Sequence, residues 1–222
     1  GFRFSKAKGQ NFLIAAWVPQ RIAEESGIDR GCGVLEVGPG IGPLTQQLCR
    51  RAGRVTAVEV DRSLAPVLQE TLGEYSNLHI LWQDILKVDI PALVQAELPG
   101  LRPMACANLP YYITSPVLTA LLEARCFSSV TVMVQKEVAQ RMAAAPGSGD
   151  SSAFTVFCNY YAQPELLFDV PPSCFLPQPK VTSSVVRLDI RQSPPCPVED
   201  EALFFRVVRA SFAQRRKQLQ NG

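Results

Sequence analysis

The sequence predicts an α/β protein: a doubly wound, mostly parallel sheet with helices on both faces and an antiparallel hairpin at one edge. Three observations carry this reading. Short apolar runs recur at residues 34–38, 55–59, 78–82, 104–107 and 130–134. Helical stretches separate them. Two further strand-like runs, 154–161 and 184–190, follow with no helix between them and predict the hairpin.

The elements follow in order. The run at 34–38 ends in glycine, and the nine residues from Pro43 to Arg51 read as a helix with Pro43 suited to its first turn. The stretch from Ser115 to Leu122 reads as a second crossover helix, with Ser115 as its cap and Pro116 at its first position. Residues 144–150 hold Pro146, Gly147 and Gly149 and predict a flexible loop. The proline-rich segment 171–179 predicts an extended path over the surface. A linker at 193–197 precedes a basic helical stretch from Glu199 to Leu219. The expected division is therefore 1–192 as the main domain. Residues 193–222 form a linker and the start of a small helical C-terminal domain, the chain being expected to stop as that domain begins.

The chain has 222 residues, 47% hydrophobic and 19% charged, enough for one sizeable core. No apolar run approaches the roughly 18 residues that span a bilayer. The N-terminus has no apolar leader, so a cytoplasmic protein without membrane partners is expected. The seven cysteines are dispersed, with no Cys-x-x-Cys pair, which argues against disulfide or zinc frameworks. One histidine, His79, sits in an apolar stretch and reads as structural. The chemistry must then work without a histidine base or a metal. Net charge is only +2, but the ends are basic. Residues 1–23 hold four cations and no acid, and residues 180–222 hold eight basic residues against four acidic ones. Two such ends suit a polyanion.

Two motifs carry chemistry. The first is Gly38-Pro39-Gly40-Ile41-Gly42, directly after a strand. Glycines there let a ligand approach the backbone at a helix N-terminus. The spacing is neither the dinucleotide G-x-G-x-x-G nor a phosphate loop with its Gly-Lys-Ser/Thr ending, so a nucleotide-derived cofactor without phosphates fits better than a nicotinamide. Glu59, ending the second run, is placed to accept both hydroxyls of a ribose. Asp84, after the third, is placed to accept from an adenine amino group, with Ile85 against the ring. The second motif is Asn108-Leu109-Pro110-Tyr111. An amide, a stiff turn and an aromatic at a strand end suit a flat base with an exocyclic amine.

These motifs stand among others: Gly9-Gln10-Asn11-Phe12-Leu13, Gln135-Lys136-Glu137-Val138, the segment 175–181 and the segment 212–217. Together they resemble the small-subunit ribosomal RNA adenine dimethyltransferases, the bacterial enzymes linked to kasugamycin sensitivity, over nearly the whole chain. The resemblance implies a Rossmann-like class I methyltransferase. It implies S-adenosylmethionine as cofactor and dimethylation of N6 on two adjacent adenosines near the 3′ end of 16S rRNA, in an immature small ribosomal subunit. It implies cofactor binding by Asn11, Leu13, Gly38, Gly40, Glu59, Val60, Asp84, Ile85 and Asn108. It places Asn108, Leu109, Pro110, Tyr111 and Phe175 around the target amine. Arg3, Lys6, Lys8, Arg215, Arg216 and Lys217 are expected to contact RNA, with the enzyme a monomer holding no metal. Gln178 and Ser151 depart from the family pattern, where proline and an aromatic are common. Leu109 and the segment 212–217 favour the small-subunit class over the large-subunit adenine dimethylases. The intact glycine loop argues against a catalytically silent relative.

Overall fold

The computed structural model describes residues 11–213. The chain runs through β1 (Phe12–Leu13), α1 (Trp17–Glu25), β2 (Cys32–Val37), α2 (Pro43–Arg51), β3 (Arg54–Glu59), α3 (Ala65–Leu72) and β4 (Leu78–Trp82). It continues through α4 (Ile90–Glu97), β5 (Arg102–Asn108), α5 (Thr114–Glu123), β6 (Ser129–Gln135), α6 (Lys136–Ala143) and α7 (Ala153–Tyr161). Last come β7 (Ala162–Val170), β8 (Phe175–Leu176), β9 (Ser183–Ile190) and α8 (Glu201–Ala213). The main sheet has seven strands in the order β4-β3-β2-β5-β6-β9-β7. The first five are parallel, and β9 runs antiparallel between β6 and β7. A separate two-stranded sheet pairs β1 with β8.

Period-2 alternation sorts the central strands between two cores. On β2, Cys32 and Val34 face a core with Val18, Ile22, Leu44 and Leu48 of α1 and α2. Leu35 and Val37 face the opposite core, with Val94, Leu118, Leu121 and Phe157. The chain leaves β2 for β3 on one side, and β5 lies on the other. That reversal opens a crevice at the strands' carboxyl ends, where open α/β sheets bind ligands.

Three local expectations are corrected. Residues 154–161 do not form a strand; they lie in α7. The run is rich in β-formers, yet Phe154, Phe157, Cys158 and Tyr161 recur at i, i+3, i+4 and i+7, the spacing of one helical face. Ser152 caps the helix by accepting from the Thr155 N–H at 3.1 Å, and the Thr155 hydroxyl accepts from the Ser152 N–H at 2.9 Å. The hairpin partner of β9 is β7, disguised in sequence by Gln163, Pro164, Glu165 and Asp169. Proline is tolerated there because β7 is the edge strand. Second, α5 begins at Thr114, and no side chain caps it. Thr114 Oγ1 instead donates to the Pro110 carbonyl at 3.2 Å, tying the helix to the turn before it. Third, the proline-rich segment runs over the surface as expected except at its middle, where it turns inward. Cys174 and Phe175 are buried, because β8 pairs back onto β1.

The loop at 144–150 is present, and Ser151 closes it with a hydroxyl that accepts from the Gly147 N–H at 3.3 Å. His79 is half exposed and pairs with Glu97 at 2.8 Å, consistent with a structural role. Helix α8 packs on α7 through Phe205, whose ring lies 5.3 Å from Phe157 and 5.1 Å from Tyr160. Glu201 opens α8, accepting from the Tyr160 and Tyr161 hydroxyls and pairing with Arg125. None of the described helices is long and apolar enough to cross a membrane.

The capping box gives a test of the α7 assignment. Ser152→Ala is expected to lower unfolding free energy by about 1 kcal/mol, the usual loss of a cap. Denaturant titration with a helical far-ultraviolet signal measures it, and Ser152→Asp should restore the loss.

Candidate active site

The crevice is lined by all the cofactor and target-amine residues expected from the sequence: Asn11, Leu13, Gly38, Gly40, Glu59, Val60, Asp84, Ile85, Asn108, Leu109, Pro110, Tyr111 and Phe175. It has a cavity volume of about 150 Å³ and opens to solvent. The expected RNA contacts Arg3, Lys6, Lys8, Arg215, Arg216 and Lys217 lie outside the described residues.

One wall is the loop between β2 and α2. Gly38 and Gly40 have φ of +69° and +60°, a conformation that L side chains rarely adopt. A Cβ built on either meets no heavy atom within 4 Å. The backbone here therefore faces open space that a ligand can occupy. Gly42 differs, since its Cβ would lie 3.1 Å from Leu72, so that glycine serves packing. Pro43 follows at the first turn of α2 as the sequence predicts.

Glu59 ends β3 almost fully buried. Its Oε1 accepts from the Asp61 N–H at 2.8 Å, and its Oε2 from the Gly40 N–H at 3.4 Å. The carboxylate thus braces the glycine loop from the neighbouring strand. Burial raises its pKa, and the amides of Asp61, Gly40 and Val60 act against that rise. Asp84 stands at the end of β4, its Oδ1 accepting from the Leu86 N–H at 3.1 Å. Ile85 is buried beside it, while Val60 is 71% exposed on the rim.

The opposite wall is the turn after β5. The Leu109 N–H donates to the Met133 carbonyl at 3.3 Å, and the Pro110 carbonyl accepts from the Ile113 N–H at 3.1 Å. The Tyr111 hydroxyl meets Ser183 Oγ of β9 at 2.9 Å. Asn108 itself ends β5, opposite Met133. The tetrapeptide is held from β6, from the start of α5 and from β9. Phe175 is buried next to Leu13 through the β1–β8 pair and forms a fixed side of the crevice.

Of the lining residues to which the sequence assigned no role, two stand out. Tyr112 is 69% exposed on the rim. Glu36 is more informative. It lies in the middle of β2, only 1% exposed, and its Oε2 has no hydrogen-bond partner. An acid inside an otherwise apolar strand was the available signal. Burial pushes its pKa up to about 8; the Thr45 hydroxyl opposes the rise and Glu59 adds to it. Among the described residues there is no cluster of His, Cys, Asp and Glu able to hold a metal ion.

An open parallel sheet with a glycine loop at its switch point, an acid ending the next strand and β9 inserted antiparallel define a class I methyltransferase, the class that uses S-adenosylmethionine. The chain belongs to the ribosomal RNA adenine dimethylase family, whose sequence profile matches residues 1–222. It is 47% identical over 221 residues to the ribosomal RNA small subunit methyltransferase A of Alkaliphilus oremlandii, covering 99% of this chain and 77% of that protein. The Geobacillus kaustophilus counterpart is 49% identical over 223 residues, covering 100% and 76%. Among solved structures, the 23S rRNA methyltransferase ErmE superposes with a TM-score of 0.77 at 30% identity, covering 95% of this chain and 82% of that one. A dimethyladenosine transferase from Plasmodium falciparum gives 0.78 at 29%, covering 95% and 74%. The protein is an rRNA adenine N6,N6-dimethyltransferase dependent on S-adenosylmethionine.

The buried acid yields a stability prediction. Folded Glu36 ionises near pH 8, whereas the unfolded side chain ionises near its ordinary 4.5. The folded state binds the extra proton between those values, so its stability falls as pH rises through that window. Glu36→Gln is expected to change the melting temperature little at pH 5 and to raise it above pH 8. Thermal melts of the ligand-free protein across pH measure this, and parallel curves for both proteins would contradict it.

Proposed function

We propose that this crevice dimethylates N6 of two adjacent adenosines near the 3′ end of 16S rRNA, within an immature small ribosomal subunit, and that the enzyme works in the cytoplasm as a monomer without metal. The observation that carries this reading is the meeting of two unlike walls: an acidic, glycine-lined wall without lysine or arginine among the described residues, and the Asn108–Tyr111 turn. Small-subunit methyltransferases match nearly the whole chain, which favours the small-subunit substrate.

The first wall suits S-adenosylmethionine. Glu59 would accept the ribose hydroxyls and Asp84 the adenine amine, with Val60 and Ile85 flanking the ring. Gly38 and Gly40 would admit the ligand close to the backbone, and Asn11, Leu13 and Asn108 would line the methionine side. Bound there, the cofactor supplies an electrophilic methyl group on a sulfonium.

The remaining work belongs to the second wall. An adenine N6 lone pair is delocalised into the ring and weakly nucleophilic. Asn108 Oδ1 and the Leu109 carbonyl accept its two N–H bonds and draw the lone pair out of conjugation. Pro110 stiffens the turn that holds both acceptors. Tyr111 and Phe175 stack on the base; each stack is worth roughly 1–3 kcal/mol. Ser183 fixes the tilt of the Tyr111 ring through its hydroxyl. Much of the acceleration comes from orientation. No strong base is required, because the nitrogen becomes acidic only after alkylation and its proton passes to water. Arg3, Lys6, Lys8, Arg215, Arg216 and Lys217 would neutralise RNA phosphates, and residues 193–222 would lead into a helical domain that adds to that grip.

Two measurements test this. Calorimetry should show S-adenosylmethionine binding that Glu59→Ala weakens by about 1.5–3 kcal/mol, the scale of charge-assisted hydrogen bonds. Tight NAD binding instead would remove the assignment. In single-turnover assays on undermodified small subunits, Asn108→Ala should abolish most turnover while leaving the melting temperature nearly unchanged. Tyr111→Phe loses one hydrogen bond to Ser183 and should slow transfer less than about tenfold. Tyr111→Ala should be far slower, and equal rates for both variants would point to an essential hydroxyl.

A further inference from the structure

Helix α1 presents a ring that core packing does not account for. Val18 and Ile22 turn into the core between α1 and the sheet. Trp17, at the first turn, stands outside that core and is 44% exposed. An indole is a large apolar surface to leave in water, so its neighbours matter. Its ring lies 6.0 Å from that of Phe168 on β7, tilted by 47°. Arg21 follows Trp17 by one helical turn and so shares its face of α1. Its guanidinium carbon sits over the same phenyl ring, 4.3 Å from the centre. Phe168 therefore meets an indole and a guanidinium together.

A β-bulge builds this contact. Leu166 pairs with Val186 and Phe168 with Val185, which makes Leu167 the extra residue. Leu167 and Phe168 consequently both pack toward the α1 side of the sheet, where strict alternation would part them. Strand β7 is also the edge of the sheet, so among the described residues no strand lies beyond it. The charges around the patch are already paired. Arg21 pairs with Glu25, and Asp169, next to Phe168, pairs with Lys136. The patch offers flat faces and little net charge. Cations precede it in the sequence, Arg3, Lys6 and Lys8, with no acid before Glu24.

The patch is tied to the crevice from both sides. Leu13 lines the crevice, and Trp17 follows four residues on. Between them Ile14 is exposed, its N–H donating to the Cys174 carbonyl at 2.9 Å, next to Phe175. Leu176, beyond Phe175, is exposed as well. On β7, Val170 lies two residues after Phe168 and pairs with Ser183, which meets the Tyr111 hydroxyl.

A base that enters a protein pocket leaves its stack, and its neighbours in the strand are left with bare faces. Unpaired bases are held by stacking on aromatic rings and on guanidinium planes. We propose that Trp17, Phe168 and Arg21 form a stacking platform, outside the crevice, for the unpaired RNA strand that flanks the target adenosine. This rests on the reading above that the adenosine enters the crevice. The platform is indifferent to sequence, because every base has a face to stack. It keeps the strand unpaired beside the crevice, while the cations of the chain ends supply the attraction to phosphates.

Tryptophan emission tests this. The chain has two tryptophans, Trp17 and Trp82, so Trp82→Phe leaves Trp17 as the reporter. An oligouridylate should quench that emission, and an RNA duplex of the same length should not. Uridine lacks the target amine, so the probe reports the platform apart from the chemistry. Trp17→Ala should weaken oligouridylate binding at least about fivefold, the loss of one base–aromatic stack. The slope of affinity against salt should stay the same, because no phosphate contact is lost. Trp17→Phe should keep most of the affinity. On undermodified small subunits, Trp17→Ala should raise KM at unchanged kcat.

Emission that single-stranded RNA leaves unchanged overturns the proposal, as does equal quenching by the duplex. Parent-like oligouridylate affinity in Trp17→Ala also overturns it, even where whole subunits bind less well, since that pattern places a protein on the patch. The emission experiment leaves residue 17 intact and decides the matter even where Trp17→Ala folds poorly. A parent that methylates no adenosine would overturn the crevice reading itself. A parent that methylates, with Trp17→Ala matching its KM, would overturn only the platform.

Discussion

The crevice depends on one topological constraint: β3 and β5 lie on opposite sides of β2. Crossovers leaving a central strand in opposite directions separate the loops at its carboxyl end, and nothing from the sheet fills the gap. Parallel pairing then aligns the strand ends. Because Glu36 stands opposite Ala57, alternation puts Glu59, two residues further on, on the same face. The two acids converge by register, although 23 positions separate them in the sequence. Asn108 reaches the same level through β5, where Ala107 lies opposite Val37.

The antiparallel edge serves the site as well. Strand β9 carries Ser183 to the Tyr111 hydroxyl, and β8 returns Phe175 onto Leu13. Both contacts bring the last third of the chain against motifs from its first half. The Asn108–Tyr111 wall is therefore braced by the distant antiparallel edge seated against it. A turn held from three elements keeps its acceptors in place without reorganising during the reaction, which is the condition for catalysis by orientation.

Charge divides the molecule by task. The crevice is lined by the acids Glu36, Glu59 and Asp84, while the basic residues recognised in sequence lie toward the ends of the sequence. A buried, unpaired carboxylate such as Glu36 opposes stability, and such groups concentrate where function requires them.

Read as a sequence, the chain declared its fold class through the period of its apolar runs, and one wall of its crevice through Gly38, Gly40, Glu59 and Asp84. These signals are local: a strand followed by a glycine turn or an acid needs no distant partner to be legible. The same holds for Pro43 at the start of α2 and for the Asn108–Tyr111 motif. Residues 154–161 misled because Phe, Thr, Val and Tyr favour strands, and the Ser152–Thr155 cap that settles the helix is a weaker signal than composition. Strand β7 was hidden for the converse reason, since an edge strand tolerates proline and charge. The burial of Phe175, the Ser183–Tyr111 contact, the seating of α8 on α7 and the isolation of Glu36 were decided only in the tertiary structure. Each depends on which residues become neighbours across long sequence separations, and on the loss of water around them, neither of which any local pattern encodes.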